Sequence, residues 1–292
     1  MNTLQTAFGL FILGSIVHPA AAADPPLAGT VDVQDRAPGA LREEAPIGAY
    51  GQPAWVKSRR FATTRVHIQR DPWEVSFEQW WRGRLNGGDW SHRFQEEIEI
   101  GLPGRFQIDL YEDWTLEDGE ADHLDFAAEV RWGLADWGVI PLNPALYLEY
   151  KWTDPSRGGD VIEPKLLLGT EIVPGLHYGL NFVYERELSG EEAEEFQITQ
   201  GLSYSVIDEV LGVGIEAKYV RETVKGERSN PEHKFQLGPS LQWRPRQNVH
   251  LDLVALAGLN EEAPDLETWL VFGIEFGGGS GPSVHAPVSG RR

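Results

Sequence analysis

From Trp73 to Phe276 the chain repeats one pattern: apolar and polar residues alternate singly, over runs of about ten residues, between polar or Gly/Pro-rich breaks. The stretch His123–Leu134 is typical. Leu124, Phe126, Ala128, Val130, Trp132 and Leu134 lie on one side, and His123, Asp125, Ala127, Glu129, Arg131 and Gly133 on the other. Side chains alternate faces along a strand, so period two means one apolar and one polar face, whereas a helix would scatter these residues around its circumference. About twelve such segments follow one another, at 73–85, 92–102, 105–116, 123–134, 145–153, 161–172, 176–187, 195–206, 211–222, 233–244, 249–259 and 267–276. Each approaches the 9–11 residues that a tilted strand needs to cross a bilayer, and the even number suits a closed antiparallel barrel.

The connections form a second pattern. Breaks such as Asp154–Asp160, Ser189–Glu194, Lys225–Glu232 and Asn260–Asp265 alternate with tight turns at Pro103–Gly104, Pro174–Gly175, Ile207–Glu209 and Pro245–Gln247. Only Ala135–Pro144 is a longer break among the tight set. Long loops on one side and short turns on the other are expected of an up-and-down barrel in the outer membrane, and a soluble sandwich has no reason to produce them. Aromatics agree: Phe94, Trp114, Trp152, Tyr184, Phe196 and Phe235 fall near the loop end, and Phe106, Trp132, Tyr178, Tyr204, Trp243 and Phe276 near the turn end. Two such girdles suit the two membrane interfaces. The fold expected is all-β, a transmembrane antiparallel barrel of about twelve strands.

Outside the barrel, the apolar run Phe8–Val17 followed by Ala20–Ala23 reads as a secretory signal peptide over 1–23, too short for a membrane anchor. Residues 24–72 read as a periplasmic linker, with 55–70 more ordered and Thr63–Gln69 open between a short extra strand and a plug segment. Residues 277–292, rich in Gly, Ser and Pro, read as a disordered tail. The chain has no Cys, which excludes disulfides and thiolate metal sites, and its formal charge of −20 excludes a nucleic-acid binder that relies on a basic face.

The face opposite the apolar one carries the candidate lumen residues Glu97, Glu99, Asp109, Asp125, Glu129, Arg131, Glu149, Lys151, Glu163, Lys165, Glu171, Glu185, Glu216, Lys218, Arg244, Asp252 and Glu275. So many charges need either water or one another. The expectation is a narrow passive channel for small or hydrophobic solutes, favouring cations or neutral solutes if open; the alternative is an interior closed by its own ion pairs, with a structural or adhesive role for acidic loops such as Glu191–Glu195. A lipid hydrolase is less favoured, because Ser91 and His92, adjacent in a strand, point to opposite faces. His123 with Asp125 and His250 with Asp252 share inward parity, but two ligands each make weak metal sites, so neither a metal nor a cofactor is expected. The expected partners are membrane lipids and lipopolysaccharide, the outer-membrane assembly machinery and a small solute, with no nucleic acid.

Glu99-Ile100-Gly101-Leu102-Pro103-Gly104-Arg105-Phe106-Gln107 resembles the first inner turn of the MetA-pathway of phenol degradation family of outer-membrane transporters. Leu237–Arg244 and Phe272–Phe276 fit the same resemblance. It implies a porin-like barrel that moves small or hydrophobic organic compounds, and it assigns no functional residues.

Overall fold

A computed structural model describes residues 41–117 and 120–276. The leader, the tail and residues 24–40 of the linker lie outside the described residues. Twelve strands follow in chain order: β1 (Val75–Asn86), β2 (Asp89–Leu102), β3 (Phe106–Glu117), β4 (Glu120–Gly133), β5 (Ala145–Thr153), β6 (Val161–Val173), β7 (Leu176–Glu187), β8 (Glu194–Ile207), β9 (Leu211–Thr223), β10 (Glu232–Arg246), β11 (Val249–Gly258) and β12 (Leu266–Phe276). Each is antiparallel to its neighbours, and β1 pairs with β12 from Val75↔Phe276 to Leu85↔Leu266, closing the barrel. Closure leaves no strand edge unpaired, which a bilayer interior would not tolerate. β5 and β7 begin and end where the alternation does. β1 starts at Val75 rather than Trp73, since Trp73 takes a left-handed φ of 70° in the turn that enters the barrel.

One expectation is corrected. Asp113 pairs with Asp125, but the next pair is Trp114↔His123, so a bulge at this point turns His123 outward. Its ring packs edge-on to Trp114 at 5.0 Å instead of joining Asp125 on the inward face.

Residues 52–70 occupy the interior at the tight-turn end, with 41–51 and 71–74 at its mouth. A short 3-10 turn (Arg42–Glu44) and a single helical turn (Ala54–Lys57) precede an irregular run to Trp73. No strand forms over Thr63–Gln69. Backbone N–H groups there are met by inward side chains of the wall. Those of Ala62 and Thr63 donate to Glu216 at 3.0 and 2.8 Å, that of Arg65 to Asn181 at 2.8 Å, and those of Gln69 and Arg70 to Gln107 at 2.8 and 3.1 Å. Buried amides must find acceptors, and here the barrel wall supplies them.

Close approach is made possible by inward-facing glycines. An alanine Cβ at Gly201 would stand 2.3 Å from Phe61 Cδ1, and one at Gly169 2.3 Å from Val66 Cγ1. Trp55, Val56, Phe61 and Val66 form an apolar cluster inside the barrel, with Trp137 packed against it. Trp137 comes from the β4–β5 connection, the one long break among the tight turns, and its N–H donates to Tyr50 O at 2.8 Å. That connection is long because it folds over the segment inside.

Candidate functional site

Two zones divide the interior. At the turn end, guanidinium groups of the internal segment meet carboxylates of the wall. Arg59 binds Glu78 through Nη2 at 2.7 Å and Nε at 3.2 Å, and Glu78 also lies 3.4 Å from His250 Nε2, whose Nδ1 sits 2.6 Å from Asp252. Arg65 reaches Glu97 at 3.0 Å and Glu99 at 3.3 Å, and Arg70 reaches Glu99 at 2.7 Å and Glu275 at 3.3 Å. Arg131, on the wall, bonds Asp109 at 2.5 Å and Gln69 of the segment at 2.7 Å, contacts Glu129, and lies 3.6 Å from Glu99. Arg244 joins Glu275 at 3.3 Å. Beneath these, Lys57 bridges Asp71 and Glu74 at 2.5 and 2.8 Å, and Arg60 binds Glu43 at 2.7 Å. Buried charges persist only when paired, and most of these pairs tie the internal segment to the wall.

His67 is fully buried under Trp137, with ring centroids 5.6 Å apart. Burial disfavours its charged form and lowers its pKa from 6.5 to about 4. Glu43, by contrast, is pushed up by burial against the pull of Arg60.

Above the segment, toward the long loops, a cavity of about 300 Å³ remains. Its acidic wall holds Glu149, Glu163 and Glu185, interleaved with Lys151 (3.0 Å from Glu149, 3.4 Å from Glu185) and Lys165 (2.5 Å from Glu163). Lys218 meets Glu267 at 3.0 Å. The facing wall, on β1 and β2, is basic: Arg82, Arg84 and Arg93, with Trp80 and Trp269 beside them.

The candidate lumen residues thus fall into two groups. Glu97, Glu99, Asp109, Glu129, Arg131, Glu216, Asp252, Arg244 and Glu275 hold or surround the internal segment, whereas Asp125, Glu149, Lys151, Glu163, Lys165, Glu185 and Lys218 lie toward the cavity or its rim. Glu171 stands apart at the turn end, where Glu44, Glu171 and His177 bring ligand atoms within 4.8 Å of one another. The groups Glu78, Glu97, Glu99 and Glu97, Asp109, Glu129 could also hold a cation by spacing, but guanidinium groups already occupy them. Arg82, Arg84 and Arg93 are not among the expected lumen residues, although the alternation of Trp80, Arg82 and Arg84 with Trp81 and Leu85 carries the signal. Nor are Arg59, Arg65 and Arg70, which bring counter-charges into a lumen that looks carboxylate-rich from the strands alone.

The hydrolase arrangement is not assembled at Ser91 and His92. His92 turns outward, where Trp81 Nε1 donates to its Nδ1 at 3.3 Å and the Trp90 ring stacks on it, while Thr115 Oγ1 donates to its carbonyl oxygen.

Residues 147–268, from β5 to β12, match the family described as MetA-pathway of phenol degradation, the family that the sequence resembles. An outer-membrane channel from Pseudomonas putida F1 superposes with a TM-score of 0.53 at 10% identity, covering 71% of this chain and 97% of that one. The NanC porin (TM-score 0.48, 9% identity, 70% and 99% covered) and the KdgM porin (0.46, 11%, 69% and 98%) are further matches. No curated protein matches the sequence. The fold is a closed twelve-stranded antiparallel barrel of the outer-membrane type.

Proposed function

We propose that the protein is an outer-membrane channel for small solutes, constricted at its periplasmic end by its own residues 41–74 and open to a vestibule at the loop end. On this reading the leader routes the chain to the periplasm, the outer-membrane assembly machinery inserts it, and lipid and lipopolysaccharide surround the apolar face. The observation that carries the reading is the docking of the internal segment: a chain held by side chain to backbone bonds, as at Glu216 and Gln107, can loosen without unzipping any strand pair. A strand added to the sheet could not.

A second reading, a sealed barrel with a structural or adhesive role, is favoured by the density of ion pairs around Arg131 and Arg70. Swelling of proteoliposomes in isosmotic solutes separates the two. A channel admits small solutes and excludes larger ones at a sharp size limit, while a sealed barrel gives no swelling with any solute.

A further inference from the structure

The basic wall of the vestibule contains one arginine that is not paired. Arg84 binds Glu267 at 2.5 Å, and Arg93 binds Asp113 at 2.5 Å and Asp125 at 3.1 Å. Arg82 stands directly across from Arg93 in the β1–β2 register and across from Trp269 in the β1–β12 register. Its guanidinium lies over the Trp269 ring at 5.1 Å, and among the described residues no carboxylate comes within ion-pairing distance of it. Like charges thus face each other across the β1–β2 ladder, and of the three arginines only Arg82 has no carboxylate in ion-pair contact. The carboxylates nearest to it are already taken by Arg84, Arg93 and Lys218.

We propose that Arg82 is the anchor of a binding site for small organic carboxylates in the vestibule. An arginine fork matches a carboxylate bidentately, and stacking on an indole fixes its plane without consuming its N–H donors. The cavity of about 300 Å³ sits at the lower end of the range for small-molecule sites, which limits the ligand to a compact acid. Trp80 and Trp269, edge to face at 5.9 Å, line the same cavity, with Arg59 and Arg82 over their rings. The acidic wall opposite repels a second negative group, so a monocarboxylate is preferred to a dianion. This inference rests on the channel reading and names the class of solute it would carry.

The test uses the full-length protein in micelles and, separately, in planar bilayers, with benzoate as probe and benzamide as its uncharged counterpart. Tryptophan fluorescence should report saturable benzoate binding at least tenfold tighter than that of benzamide. Arg82→Gln should weaken benzoate binding at least tenfold, and Arg82→Lys less. Because Arg82 makes no ion pair, its replacement leaves the lattice around Arg131 intact; the benzoate to benzamide comparison on the unaltered protein needs no variant at all. Equal binding of the two probes, binding of neither, or unchanged affinity in Arg82→Gln would each overturn the site. Binding in micelles with silent bilayers would contradict the channel reading and leave the site standing, whereas currents without benzoate binding would do the reverse.

Discussion

Arg59 and Glu78 form a two-pronged ion pair inside the barrel, at 2.7 and 3.2 Å, with side chains only 2% and 0% exposed. It fastens the internal segment to β1, and the Arg59 guanidinium also lies 4.3 Å above the Trp80 ring. Removing one member of such a pair leaves the other charge buried, a cost of about 3–5 kcal/mol. Arg59→Ala should therefore raise amide hydrogen exchange across 58–70 by several orders of magnitude while the strand amides stay protected. The pairing of Arg59→Ala with Glu78→Gln should cost less than the sum of the two single changes.

The glycine seat under Phe61 makes a steric prediction. Gly201→Ala places a methyl group 2.3 Å from Phe61 Cδ1, so the ring must move and the apolar cluster with Trp55 and Val66 must open. Overpacking of this kind costs roughly 1–3 kcal/mol. Limited proteolysis should cut within 55–70 in Gly201→Ala at protease levels that leave the parent intact, and Phe61→Leu in the same chain should restore much of the resistance.

Burial of His67 predicts a pH dependence. Docked, its pKa is about 4; released into water it returns to 6.5, so the released state binds more protons between these values. The contribution of His67 to docking is present in full above pH 6.5 and falls away as the pH drops toward 4. The full span is on the order of 3 kcal/mol. Hydrogen exchange of 58–70 should accelerate from pH 7 to pH 4.5, after correction for intrinsic rates, and His67→Gln should flatten that trend. Arg105 and Asp136, which act on the ring electrostatically, should be left unchanged in the comparison.

On the outer surface, Gln79 Nε2 donates to Glu96 at 2.7 Å, and Glu96 faces Glu112 across β2–β3, near the middle of each strand. An exposed carboxylate at mid-depth is unfavourable against hydrocarbon. Glu112→Leu should stabilise the barrel in reversible liposome folding by roughly 1–2 kcal/mol. A loss of stability instead would show that Glu112 meets a polar partner in the membrane.

The barrel was legible because its signal is local. Strand pairs need only period two and turns, and so the limits of β5 and β7 coincide with the alternation. His123 was misplaced by a single extra residue, since a bulge shifts parity without altering composition. The internal segment was not legible for a different reason. Its order comes from acceptors far away in the chain, such as Asn181 for Arg65 and Glu216 for Thr63, and nothing periodic marks it. The available clue lay in the strands: Gly133, Gly169, Gly179, Gly201 and Gly212 all fall on the inward face, where a glycine signals close approach of another chain segment. Arg82 does not stand out in the sequence because carboxylates outnumber bases in the strands, and only the paired geometry reveals which base has no ion-pair partner.

The most direct test of the account is single-channel conductance of the intact protein against a variant lacking residues 53–70, both refolded and recorded in the same planar bilayers. If the internal segment is the constriction, the intact protein shows small discrete steps and the deletion variant steps several-fold larger, with weaker discrimination between ions. Equal conductance in the two would contradict the account, since the segment would then not lie in the permeation path.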